Sequence, residues 1–146
     1  MKLNKLNKLS FGIATILLLV GCSSSVYEPP SDKYPFENKM KELLVNQIKI
    51  INSLKKAEVQ ILYFELPKSS NKIESIVRLL EKDGWVLKGK GQGVDTYCLG
   101  RNNRINVVIP TSGELYDFKG GKLKRKDYSV NAVLYSYNKW GEDLCE

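Results

Sequence analysis

The apolar residues of this chain change period at Trp85, and that change limits the folds open to it. Ile73, Ile76, Val77 and Leu80 recur at spacings of three and four, the stripe of an amphipathic helix. Ser70 or Asn71 can cap its start, and Gly84 suits the position just past its end. After Trp85 the period falls to two. WVLKGKGQG and VDTYCLG read as strands, and RINVVIP, residues 104–110, reads as a third, entered through the turn Gly100-Arg101-Asn102-Asn103. LYDFKGGKLKRKD forms another short hairpin about Gly120-Gly121. Upstream, Val59–Pro67 is dense in β-branched and aromatic residues and predicts a strand. Met40, Leu43, Leu44, Ile48, Ile51 and Leu54 predict a helix over Glu37–Lys56. The last segment, SVNAVLYSYNKWG, fits either element. Val130, Val133, Leu134 and Tyr137 make a helical stripe ending at Gly141, which is the preferred reading, and the Val and Tyr content suits a strand. These elements imply an α+β fold: one small domain, a mostly antiparallel sheet covered on one face by helices. No repeat of 20 to 50 residues is visible.

Before these elements stands MKLNKLNKLSFGIATILLLVGC. Lys2, Lys5 and Lys8 make a basic start, Phe11–Val20 an apolar core, and small Gly21 precedes Cys22. This is the layout of a secretory signal, and its apolar run is too short for the roughly 20 residues of a membrane span. Leu19-Val20-Gly21-Cys22 resembles the lipobox of bacterial lipoproteins. The resemblance implies a signal peptide over residues 1–21, cleavage before Cys22, a diacylglyceryl group on its thiol and an acyl chain such as palmitate on its amino group. Several chains on one residue make a persistent membrane anchor, whereas one alone holds marginally. Ser23 follows the cysteine, and by the family's sorting rule this implies the periplasmic face of an outer membrane. Residues 22–36, rich in Ser and Pro, read as the tether, with a reach of up to ~40 Å at about 3.1 Å per residue. Residues 37–146 are the globular domain.

Lipidation of Cys22 leaves Cys98 and Cys145, and an oxidising compartment favours their pairing as a disulfide. The whole chain carries 23 Lys and Arg against 16 Asp and Glu. Three of those lysines and none of the acids precede Cys22, so the exported part keeps an excess of four positive charges. That is weak for a nucleic-acid binder, and export makes such a partner less expected still. The densest basic cluster, Lys122, Lys124, Arg125 and Lys126, is either a solvated hairpin or a docking patch for an anionic partner face. Tyr128, Tyr135, Tyr137 and Trp140 are core or rim residues, or else an aromatic binding face.

The run IESIVRLLEKDGWVLKGKGQGVDTYCLGRNNRINVVIP, residues 73–110, resembles the HicA-type family of small mRNA-cleaving toxins. The shared features are a helix ending in LEKDGW, a Gly-containing hairpin and a strand ending in Val-Ile-Pro. The resemblance implies a dsRNA-binding-like arrangement, three strands against two helices. It implies no activity: the family's catalytic His lies in a Gly-Ser-His stretch, and the matching stretch here is Gly91-Gln92-Gly93-Val94-Asp95.

The chain contains no His. A Ser-His or Cys-His nucleophile therefore cannot be built, and a zinc site lacks its usual ligands. GKGQG, residues 89–93, lacks the Lys-Ser/Thr ending of a phosphate loop and reads as a flexible hairpin turn. No pair of carboxylates stands out, and no cofactor or small-molecule substrate is indicated. The expectation is a non-enzymatic, lipid-anchored accessory protein held by its anchor to the membrane. It would bind an envelope protein, for example of a pilus, secretion or conjugation machine. The alternative is an inhibitor or an exclusion or immunity lipoprotein.

Overall fold

The computed structural model describes residues 30–45, 47–111, 113–141 and 145–146. The expected signal peptide, Cys22 and the first part of the tether lie outside the described residues. Two helices, α1 (Phe36–Leu44) and α2 (Lys72–Lys82), accompany β1 (Ile51–Lys55), β2 (Val59–Pro67), β3 (Val86–Lys90), β4 (Val94–Leu99), β5 (Asn103–Val108), β6 (Leu115–Tyr116), β7 (Lys122–Leu123) and β8 (Val130–Asn138). β6 and β7 pair as a small ribbon, and the other six strands form one antiparallel sheet in the order β1-β2-β8-β5-β4-β3. The α+β expectation holds, with both helices on one face of the sheet.

Alternation along the strands builds that covered face. Leu62, Tyr135, Ile105 and Tyr97 form one cross-strand row, and Phe64, Val133 and Val107 the next. Phe36, Met40 and Leu44 of α1 and Ile73, Ile76 and Leu80 of α2 close over them. Phe36 stacks on Tyr135 with ring centroids 4.9 Å apart. Trp85 meets Tyr34 edge to face at 5.1 Å. α2 ends as its sequence suggests: Gly84 takes φ +88°, its N–H bonds Glu81 O, and the Trp85 N–H bonds Leu80 O, the paired geometry of a Schellman stop.

Two element assignments need correction. The helix expected over Glu37–Lys56 stops at Leu44, and Ile51–Lys55 is the edge strand β1. The register of β1 explains the confusion. Ile51 pairs with Tyr63 and Leu54 with Ile61, and the shift between Asn52 and Leu54 leaves Ser53 as an extra residue. A bulge of this kind puts residues three apart on the same face, which imitates a helical stripe. The helix preferred for the last segment is the strand β8, paired with β2 on one side and β5 on the other. Ala132, Val133, Leu134 and Tyr135 put apolar residues on both faces of β8, so alternation with polar residues is clean only from Tyr135 to Asn138. A strand therefore stands where a helix is preferred from sequence, and the sheet has six strands where the resemblance implies three.

Part of the segment read as a tether is folded. Asp32–Phe36 packs into the domain, with Tyr34 and Phe36 buried. The folded unit thus begins before residue 37.

GKGQG proves to be a packing surface. β6, β7 and the turn between them fold back over the uncovered face of the sheet, where Leu115 buries against Val94, Val108 and Ala132. Phe118 lies on Gly89, whose Cβ would stand 2.7 Å from that of Phe118. At Gly91 a Cβ would overlap the Tyr116 carbonyl and approach the Asp117 carbonyl carbon to 2.5 Å. Gly89 and Gly91 are required for close approach, and Gly93 for its φ of +70°. Gly91→Ala must displace backbone. It should cost about 1–3 kcal/mol and raise amide exchange at Tyr116 and Asp117 while that of β8 changes far less. Unchanged exchange in the ribbon would contradict this packing.

Candidate interaction surfaces

Asn103, at the start of β5 and 2% exposed, organises the end of the sheet where the chain enters. Its side-chain oxygen accepts from the Tyr34 backbone N–H at 3.0 Å and from the Tyr135 hydroxyl at 2.8 Å. Its amide donates to the backbone oxygens of Asp32, at 2.8 Å, and Leu99, at 3.2 Å. The Tyr137 hydroxyl donates to Asp32 at 2.8 Å, and Asn102 donates to the same carboxylate. The Tyr34 hydroxyl donates to Asp83 at 2.7 Å, and Lys39 completes that site at 3.0 Å. These bonds answer the question of the aromatic face. Tyr135 and Tyr137 are buried and engaged inside the domain, while Tyr128 and Trp140 are exposed elsewhere. The four do not form a common binding surface.

The same bonds account for the displaced titrations. Burial acts upward on Asp32, but hydrogen bonds from Asn102 and Tyr137 outweigh it and hold the carboxyl below its usual range. The Tyr34 hydroxyl and Lys39 hold Asp83 low. Burial and the Asp83 contact raise Tyr34, and burial raises Tyr135. A depressed carboxylate stabilises the fold above its unfolded-state pKa and loses that contribution as pH falls through its folded one. Acid therefore loosens the docked Asp32–Phe36 segment. Asn103→Leu leaves Tyr135 Oη and Tyr34 N without their shared acceptor. The expected loss is about 2–4 kcal/mol, with new proteolytic cleavage near Lys33; resistance equal to wild type would show that the segment is held by packing alone.

Cys98 on β4 and Cys145 form the expected disulfide, with Cα atoms 5.9 Å apart. It closes a loop of sequence separation 47 and contributes about 4 kcal/mol in the chain-entropy model. Beside it lies an open pocket of about 370 Å³ lined by Val86, Lys88, Cys98, Gly100, Arg101, Cys145 and Glu146. The acidic pair Glu142 and Asp143 lies outside the described residues. Among the described residues no group of three or more His, Cys, Asp or Glu side chains could hold a metal ion. Nor is any helix among them long and apolar enough to cross a membrane.

The basic cluster divides into two kinds of residue. Lys122 is paired with Glu114, which also accepts from the Tyr116 hydroxyl. Arg125 turns inward: its side chain is only 9% exposed, and it donates to Val130 O at 2.8 Å and to Glu65 at 3.1 Å. Lys124 and Lys126 point to solvent and make no ion pair among the described residues. β7 ends at Leu123, so Lys122, Lys124 and Lys126 do not lie along one strand. The sequence had no signal that would separate Arg125 from its neighbours, because its partner Glu65 is 60 residues away. No family model, curated protein or solved structure matches the chain.

Arg125→Ala removes a packed ion pair and leaves the Val130 carbonyl without its donor, so it should lower stability by about 1–2 kcal/mol. Lys124→Glu and Lys126→Glu together should shift it by less than about 0.5 kcal/mol. Thermal melts of the two variants side by side test the division, and equal shifts would refute it.

Proposed function

We propose that the chain is a lipid-anchored protein of the cell envelope that binds a protein partner and catalyses no reaction. The observation that carries this reading is Leu19-Val20-Gly21-Cys22, set after a basic start and a ten-residue apolar core and before a Ser-rich stretch. The Cys98–Cys145 bridge supports it, because such bonds persist in oxidising compartments. Ser23 directs the anchored protein to the periplasmic face of the outer membrane. Its work there is that of an accessory to an envelope assembly such as a pilus, secretion or conjugation machine.

The fold gives this reading a geometry. Docking begins at Asp32, so nine residues, Ser23–Ser31, separate the anchor from the domain, a reach of about 28 Å at 3.1 Å each. β8 runs from Val130, beside the Arg125 site, to Asn138, next to the Asp32 entry. At about 3.3 Å per residue the strand separates these ends by roughly 27 Å. Lys124 and Lys126 are thereby carried away from the entry of the tether, where an acidic partner face can reach them.

Cys22→Ala is the test. The variant should accumulate as unprocessed precursor and lose incorporation of a fatty-acid analogue, while the wild-type protein is shortened and labelled. Normal processing and membrane retention of the variant would overturn the anchor and the localisation that follows from it.

A further inference from the structure

The sheet has two outer edges, and they differ. β1 carries the mostly polar sequence Ile51-Asn52-Ser53-Leu54-Lys55, and Lys55 is committed to Glu37 at 3.2 Å. β3 carries Val86-Leu87-Lys88-Gly89-Lys90, and among the described residues no strand lies beyond it. Val86 is 60% exposed and Leu87 40%, on opposite faces of the edge. Natural edges are usually blunted by proline, by covering segments or by charge. Here a bulge and charge are present: Lys88 is the extra residue between Leu87 and Gly89, and Lys90 follows.

The surroundings extend that charge. At one end of β3 the pocket beside the disulfide brings Arg101 next to Lys88 and Val86, with the apolar Cys98–Cys145 bridge in its lining. At the other end Phe118 rests on Gly89, and Lys119 lies over the Phe118 ring at 5.7 Å. Lys88, Lys90, Arg101 and Lys119 therefore follow one edge. The opposing acids are Asp95, 3.7 Å from Lys90, Glu146, 3.1 Å from Arg101, and Asp117, whose carboxylate accepts from the Lys119 and Gly121 backbone N–H groups. Lys88 and Lys119 have no acidic partner among the described residues.

We infer that the outer edge of β3 docks an extended acidic segment of a partner protein, which adds to the sheet as a seventh strand and places a side chain in the pocket between Val86, the disulfide and Arg101. The edge supplies main-chain donors and acceptors, and the pocket and cations supply selectivity. Lysines on an edge repel basic strands and attract acidic ones, so the same charges that keep two copies of this chain apart admit an acidic partner. The inference rests on the reading of the chain as a binding protein. It is independent of Cys22.

The probe is a synthetic eight-residue peptide of alternating Val and Glu, with a Val and Lys peptide as its counterpart. Both are titrated into the full-length protein in mild detergent, and amide exchange is followed over Val86–Lys90. The acidic peptide should bind at least tenfold more tightly than the basic one, weaken with salt and protect the β3 amides. Lys88→Glu with Arg101→Glu, both exposed positions, should reverse the preference; Lys88→Glu alone should reduce it. Absence of binding by the wild-type protein at millimolar peptide, equal affinity for both peptides, or binding without protection of β3 would each overturn the inference. Processing at Cys22 is unaffected by any of these outcomes, so the failure of one reading is distinguishable from that of the other.

Discussion

The sheet is completed by its last strand. β8 pairs along its whole length with β2 and also with the six residues of β5, so it joins the β1-β2 hairpin to the β3-β4-β5 meander. Without it the two halves share only α2 as a covalent link, and each offers an open hydrophobic edge. Tyr135 and Tyr137 on this strand then reach the Asn103 and Asp32 cluster, which fixes the entry segment. The final strand thus closes the core and sets where the chain enters it. Pairing of this kind joins residues far apart in sequence, a topology associated with slow folding.

Local patterns predicted what is local. The strand Val59–Pro67, the stripe and Gly84 stop of α2, the turn before β5 and the Gly120-Gly121 hairpin all depend on neighbours within a few residues, and all are present. Errors arose where the tertiary environment overrides the period. A bulge at Ser53 made a strand read as helix, and apolar residues on both faces from Ala132 to Tyr135 hid the alternation of β8. The docked part of the tether was hidden for another reason. Asp32-Lys33-Tyr34-Pro35 has loop composition, and its order comes from Asn103, Tyr137 and Asp83, which lie far along the chain. The disulfide was accessible to counting because only two cysteines remained to be matched.

The glycines teach a related lesson. GKGQG has the composition of a mobile turn, yet three of its residues are needed because another part of the chain lies against them. Composition reports conformational freedom, whereas the structure reports what that freedom is used for. The ribbon it supports covers part of the second sheet face, which keeps Val94, Val108 and Ala132 from solvent and lets a six-stranded sheet exist with helices on one side only.

The displaced titrations follow from how the polar groups are used. Displaced pKa values cluster at functional sites, but structural bonds displace them as well. Here Asp32, Tyr34, Asp83 and Tyr135 are displaced by bonds that hold the entry segment to the sheet. Glu37, lowered to about 2 by Lys41 and then by Lys55 and Asn52, ties α1 to β1 in the same way. These groups are occupied in holding the fold together. The main-chain groups on the outer edge of β3 and the side chains of Lys88 and Lys119 lie outside these bonds, and they are the groups on which the proposed docking draws.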